Sequence, residues 1–220
     1  MERRTDIIRA KEIMGSNLID PEKLFMKSKE LGIFVDNKLI ENPPEIPFPE
    51  NILNQCSKDY LLFFGARYKD GSPLTILKMR EHFGTDPDIK EPCFYNQDWY
   101  LNERFAKYEF IHNKWYLIRK IAFDKCRGMP PHIIKEQLGQ NMFLPLAVVA
   151  TFAFFINYHF NNGEILWKHD YIWCADRDHK GDQIYVGRYI DPAGINRNGF
   201  NIHRYLTIDN RYSYVDIRME

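Results

Sequence analysis

The chain has 220 residues, 30 Lys+Arg balanced by 30 Asp+Glu and a pI near 7.0, enough for one sizeable core or two small ones. That balance gives no strong nucleic-acid signal, because non-specific binding to nucleic acid or to a membrane surface needs a diffuse basic field. Hydrophobic residues at 45% and charged residues at 27% exclude wholesale disorder.

The N-terminal part reads as a pair of helices. Thr5 or Asp6 starts the first, with Ile7, Ala10, Ile13 and Met14 on one face, and Gly15 ends it. Asp20-Pro21-Glu22 starts the second: Asp20 accepts from free N–H groups and Pro21 suits the first helical position. Leu24, Phe25, Ser28 and Leu31 share a face up to Gly32. Residues 33–41 read as a short hairpin around Asn37-Lys38, followed by the proline-rich ENPPEIPFPE. This stretch is the one candidate linker. Residues 1–42 are therefore read either as a helical appendage or as part of one domain over 1–220.

A helix over Glu50–Ser57 precedes an apolar strand, Tyr60 to Tyr68, suited to burial on both faces. Ser72-Pro73 opens a helix carrying Ile76, Met79 and Phe83, stopped by Gly84. Asp98 is placed to cap a helix from Trp99 to about Ala106. Tyr108–Ile111 and a strand within 114–123 read as a hairpin across His112-Asn113. Residues 143–159 form a helix that is apolar on nearly all faces. The apolar run Met142–Ile156, MFLPLAVVATFAFFI, falls short of the ~20 residues that cross a bilayer, so the segment is read as a buried central helix and no membrane partner is expected. From Tyr171 on, aromatic and β-branched runs broken by Asp, Gly and Asn read as several short antiparallel strands. The fold class is α+β: N-terminal helices, a mostly antiparallel sheet, and one buried helix packed under the C-terminal strands.

Cys56, Cys93, Cys126 and Cys174 form no CxxC pair. The first fifteen residues lack the apolar core of a signal peptide, so reduced thiols in the cytoplasm are expected. Asp176, Asp178 and Asp182 resemble the opening of a calcium loop, but Lys180 and Gly187 occupy two ligand positions, leaving a turn as the better reading. Pro87-Asp88 has no downstream Glu-x-Lys of a metal-dependent nuclease, and there is no GxSxG or P-loop pattern. The seven histidines show no paired spacing. No catalytic residue, metal ligand or cofactor is assigned. The richest recognition signal is Tyr, Asn and Arg crowding near the C-terminus, and Asn196, Asn198, Asn201, Arg204, Tyr205, Arg211 and Tyr212 are the candidate ligand-binding residues.

KEIMGSNLIDPEKL, FYNQDWY, WYLIRK, WCADRDHKGDQIYVGRY, GINRNGFNIHRY and DNRYSYVDIR together resemble a recurrent family of bacterial and phage hypothetical proteins, for which no activity is implied. The part from Trp173 to Arg218 is also similar to the end of C-type-lectin-like domains, including the variable proteins of diversity-generating retroelements. That resemblance implies a binding face around Asn196–Tyr214. Three functions follow as expectations. The first is a non-enzymatic binding protein that uses the C-terminal sheet and loops to hold a macromolecule or small molecule. The second is a metal-dependent hydrolase or nuclease, with a site between the Asp98 region and the Asp176–Asp182 loop. The third is a virion or assembly component.

Overall fold

A computed structural model of the protein describes residues 4–139, 141–168, 170–189, 199–204 and 211–218. Helix α1 (Ile7–Met14) starts where the Asp6 carboxylate accepts the Arg9 N–H at 2.9 Å and stops at Gly15, whose φ of 55° favours glycine. After strand β1 (Leu18–Ile19), Asp20 caps α2 (Pro21–Met26), and α3 (Ser28–Leu31) ends at the left-handed Gly32. Strand β2 (Ile33–Phe34) follows. The hairpin expected at Asn37-Lys38 is instead helix α4 (Asn37–Glu41). There the Asp36 carboxylate accepts the Lys38 N–H at 2.9 Å, and Leu39 and Ile40 pack against the core.

Helix α5 (Glu50–Cys56) leads into β3 (Tyr60–Phe64), all five residues of which are buried. The strand does not run on to Tyr68. A Cβ at Gly65 would lie 1.9 Å from the His112 carbonyl oxygen, and beyond this crossing β4 (Arg67–Tyr68) pairs with β2. Next come β5 (Leu74–Thr75), α6 (Ile76–Phe83), α7 (Arg104–Lys107), β6 (Phe110–Ile111) and β7 (Trp115–Arg119). The hairpin expected at His112-Asn113 does not form, because β6 pairs with β5 while β7 pairs with β3. The helix expected from Trp99 is only α7, started by Glu103.

The remaining elements are α8 (Pro131–Gln137), β8 (Met142–Phe143), α9 (Ala147–Phe160), β9 (Tyr171–Arg177), β10 (Gln183–Tyr189), β11 (Gly199–Arg204), β12 (Tyr212–Ser213) and β13 (Ile217–Arg218). Among the described residues, one sheet has the order β1-β3-β7-β13-β8 and another the order β11-β10-β9-β12. Pairing is antiparallel except for β1 with β3 and β12 with β9. The fold is therefore α+β and mostly antiparallel.

Helix α9 is the central element. Every residue from Ala147 to Asn157 is buried, and the helix touches β9 and β10 on one side and β3, β6, α6 and α7 on others. It starts four residues later than the sequence suggests, because Met142–Phe143 is taken up as a strand and Leu146 occupies the N-cap. At 14 residues it is short, and no helix among the described residues is long and apolar enough to cross a membrane. The N-terminal helices share this core: Ala10, Met14, Leu24 and Leu31 belong to the same buried cluster as Phe155, and β1 extends the five-stranded order. The proline-rich stretch is tied down by the Thr5 and Ile46 backbones, which exchange two 3.1 Å hydrogen bonds.

Candidate functional site

Two faces and one edge of the four-stranded sheet determine what it can offer a ligand. Ile172, Cys174, Ile184, Val186, Phe200 and Ile202 join the main core with α9. The opposite face carries Trp173, Tyr185 and Tyr212, which pack with Cys126, Ile134, Leu144 and Tyr214. Ring centroids here are close, 5.2 Å for Trp173–Tyr185 and 4.8 Å for Tyr185–Tyr212. Rings in direct contact leave no room for a guest, so this aromatic group is a second core and not a cage.

The outer edge of β11 is closed by the FYNQDWY stretch. The Ile202 carbonyl accepts from Gln97 Nε2 at 2.7 Å and from Trp99 Nε1 at 3.0 Å. The Phe200 backbone bonds to Cys93 and Tyr95. An open strand edge would template pairing with another chain, and these side chains occupy it.

At the end of that edge lies the polar group of greatest interest. The β9–β10 turn closes through the Asp178 N–H to the Asp182 carbonyl at 2.9 Å, with Gly181 at a φ of 88°. Asp178, whose side chain is fully buried, accepts the Lys180 and Asp182 N–H groups on Oδ1 at 2.9 and 2.8 Å. Its Oδ2 pairs with Arg204 Nη1 at 3.4 Å. Burial pushes this carboxyl upward, but the two backbone N–H groups and Arg204 outweigh it and hold the pKa below the usual range. The Arg204 guanidinium also lies 5.3 Å from the Trp99 ring centre.

Glu103 comes to the same place from the start of α7. It occupies the N-cap, yet its side chain makes no cap bond to its own helix. Both oxygens instead serve His179, one accepting the backbone N–H at 3.0 Å and the other lying 2.5 Å from Nδ1. This fixes an imidazole whose side chain is 62% exposed. Ligand atoms of Glu103, Asp178 and His179 lie within 4.8 Å of one another.

Asp176, two residues earlier, points elsewhere. Its Oδ2 accepts the Ala147 N–H at 2.6 Å, which places a carboxylate at the buried N-terminus of α9. Burial raises its pKa to about 6, against the lowering pull of that hydrogen bond. A calcium loop would need Asp176 and Asp178 to converge, and the chain sends them to different partners. Asp98 likewise stays apart, bonded to Arg80 Nη2 at 2.8 Å.

Of the residues expected to bind a ligand, Asn196, Asn198 and Tyr205 lie outside the described residues. Arg204 belongs to the Asp178 group, and Arg211 is exposed. Asn201 and Tyr212 are 5% and 8% exposed: the Asn201 amide donates to the Gly199 carbonyl, and Tyr212 sits in the second core. The four described residues therefore do not share one open face. All four cysteines are buried, and burial pushes the Cys174 thiol well above its usual pKa, which leaves it unreactive.

No family model, curated protein or solved structure matches the chain. The site therefore has to be read from its own chemistry. The meeting of Glu103 with His179 escaped the sequence because the two are 76 positions apart, although His179 lies within the Asp176–Asp182 loop. The usable signal was a short helix start at Glu103 opposite an Asp/Gly turn.

Proposed function

We propose that the chain is a non-enzymatic binding protein that takes its partner at the end of the four-stranded sheet, around the β9–β10 turn and the end of β11. The observation that carries this reading is Arg204, held between the Trp99 ring and the buried Asp178 carboxylate beside the Glu103-fixed imidazole of His179. Side chains fixed before binding lose little conformational freedom on contact, so pre-ordered Arg, His and Trp groups suit recognition. The face that a C-type-lectin-like resemblance implies, Asn196–Tyr214, includes Arg204 of this group.

The test is quantitative co-purification from the native host with the full chain as bait. Arg204→Ala combined with His179→Ala is expected to reduce the captured partner at least about tenfold while leaving the circular-dichroism spectrum intact. Undiminished capture by that double variant would discard the reading. Tyr212 is left untouched, because its loss would disturb the second core.

One observation favours a second reading, a metal-dependent hydrolase or nuclease: the grouping of Glu103, Asp178 and His179. The Arg204 cation on Asp178 competes with any metal there. If the group binds a dication, Mn²⁺ or Zn²⁺ raises the melting midpoint of the wild type, raises that of Arg204→Gln further, and leaves His179→Ala unchanged. Flat responses in all three proteins reject this reading.

A further inference from the structure

The proline-rich stretch, held by the Thr5 segment, forms one wall of a cavity that shares no lining residue with the β9–β10 turn. The cavity measures about 220 Å³, and its apolar lining comes from Pro44, Phe48, Phe64, Trp115, Tyr116 and Ile217. Three contacts hold the wall in place. The Thr5 hydroxyl donates to the Phe48 carbonyl at 2.7 Å, Trp115 Nε1 donates to the Pro44 carbonyl at 3.0 Å, and the Thr5 and Ile46 backbones pair. Trp115 thus both holds the wall and lines the space.

Three cations and one anion border the cavity: Arg4, Lys114, Arg218 and Glu45. Arg4 and Glu45 lie 3.7 Å apart and offset each other. Lys114 is exposed and has no carboxylate partner among the described residues; its ammonium lies 5.4 Å from the Tyr116 ring centre. Arg218 Nε is buried and has no hydrogen-bond partner. The nearest carboxylate, Asp216, is 3.9 Å away, beyond hydrogen-bond reach, and both of its oxygens accept from the Tyr60 hydroxyl. Asp216 therefore offsets part of the Arg218 charge without satisfying its donor. Nε itself is out of a guest's reach, so contact with a ligand falls to the terminal nitrogens of the guanidinium, on a side chain that is 26% exposed.

We infer that this cavity is a binding site for a small organic monocarboxylate, whose carboxylate meets Arg218 and Lys114 while its apolar body lies against Phe64, Trp115 and Ile217. The charge left over on Lys114 and Arg218, reduced by Asp216, suits one negative charge better than two. The volume is below the ~300–1,000 Å³ typical of sites for drug-sized ligands, which limits the guest to a compact acid. Aromatic walls favour a flat or short aliphatic body over an inorganic ion.

The test titrates the full chain with benzoate and with hexanoate by isothermal calorimetry, with benzamide and inorganic phosphate as controls. At least one of the two acids is expected to bind saturably at millimolar concentration or below. Benzamide, phosphate and the Lys114→Gln and Arg218→Gln variants should each weaken binding at least about tenfold, the loss expected for removing a charge-assisted contact. Lys114 is on the surface, so its variant keeps the test decisive if Arg218→Gln fails to fold. The inference is overturned if neither acid binds, if benzamide matches benzoate, or if Lys114→Gln binds like the wild type.

Discussion

Replacing Phe155 by Ala is expected to lower the unfolding free energy by ~3–5 kcal/mol. Phe155 is fully buried on α9, and its ring stacks on Phe83 of α6 at 4.0 Å and 13°. It also meets Phe94 at 5.0 Å, Phe154 at 5.4 Å and Phe200 of β11 at 5.9 Å. One ring therefore joins two helices, the segment that covers the β11 edge, and β11 itself. Its neighbours are themselves large rings fixed by their own contacts, so they cannot collapse into the space, and the cavity cost adds to the lost transfer energy. In a chain of this length ~4 kcal/mol corresponds to a fall of roughly 8–16 °C in the melting midpoint. Urea unfolding of wild type and variant checks it, and a loss under ~1 kcal/mol would show that Phe155 does not hold these elements together.

The second large effect concerns Asp176 and pH. Its pKa is raised from 3.8 to about 6, chiefly by burial, so between those values the folded protein binds a proton that the unfolded chain has released. Its contribution to stability is therefore greatest below about pH 4 and is lost as the pH rises through about 6. A shift of about two pH units corresponds to a loss on the order of 3 kcal/mol across that window. Asp176→Asn keeps an oxygen that can accept the Ala147 N–H and removes the ionisation. Relative to wild type, the variant should gain stability on the order of 3 kcal/mol between pH 4 and pH 7, and show no relative change above that. Taking the difference cancels the other titrating groups, among them Asp216, which shifts the same way, and Asp178, His82, His159 and His203, whose pKa values are lowered. Parallel stability profiles for the two proteins would refute the ionisation of Asp176 as the cause.

What the sequence made legible was local. Asp6 with Gly15, and Asp20 with Pro21, announce their helices because a cap is decided within four residues. The apolar run of α9 announces its burial for the same reason: composition alone requires it to be surrounded. The residues around Asn37 misled because Asp36 reads equally as a turn former and as a cap, and only packing of Leu39 and Ile40 decides between them. The pairing of β5 with β6 and the meeting of Glu103 with His179 depend on long-range geometry that no local pattern encodes. Among the proposed recognition residues, Asn201 alternates with the core-facing Phe200 and Ile202 and so lies on the other face of β11, yet it and Tyr212 are buried because that face is covered as well. Composition marks a Tyr, Asn and Arg-rich segment without showing which way the side chains turn.

The position of β13 has a consequence for the order in which the molecule assembles. This two-residue strand lies between β7 and β8, bonding Ile217 to Ile118 on one side and to Phe143 on the other. β8 therefore has no place in its sheet until a segment far along the chain arrives to bridge it to β7. Joining residues so distant in sequence costs loop-closure entropy before any contact repays it, so this seam closes late. β3 pairs with β7 without help from β13, so the β13-facing edge of β7 stays open until that segment arrives. Until then that edge is open to strands other than its own, so a folding intermediate with β3 and β7 paired is the species most exposed to misassociation.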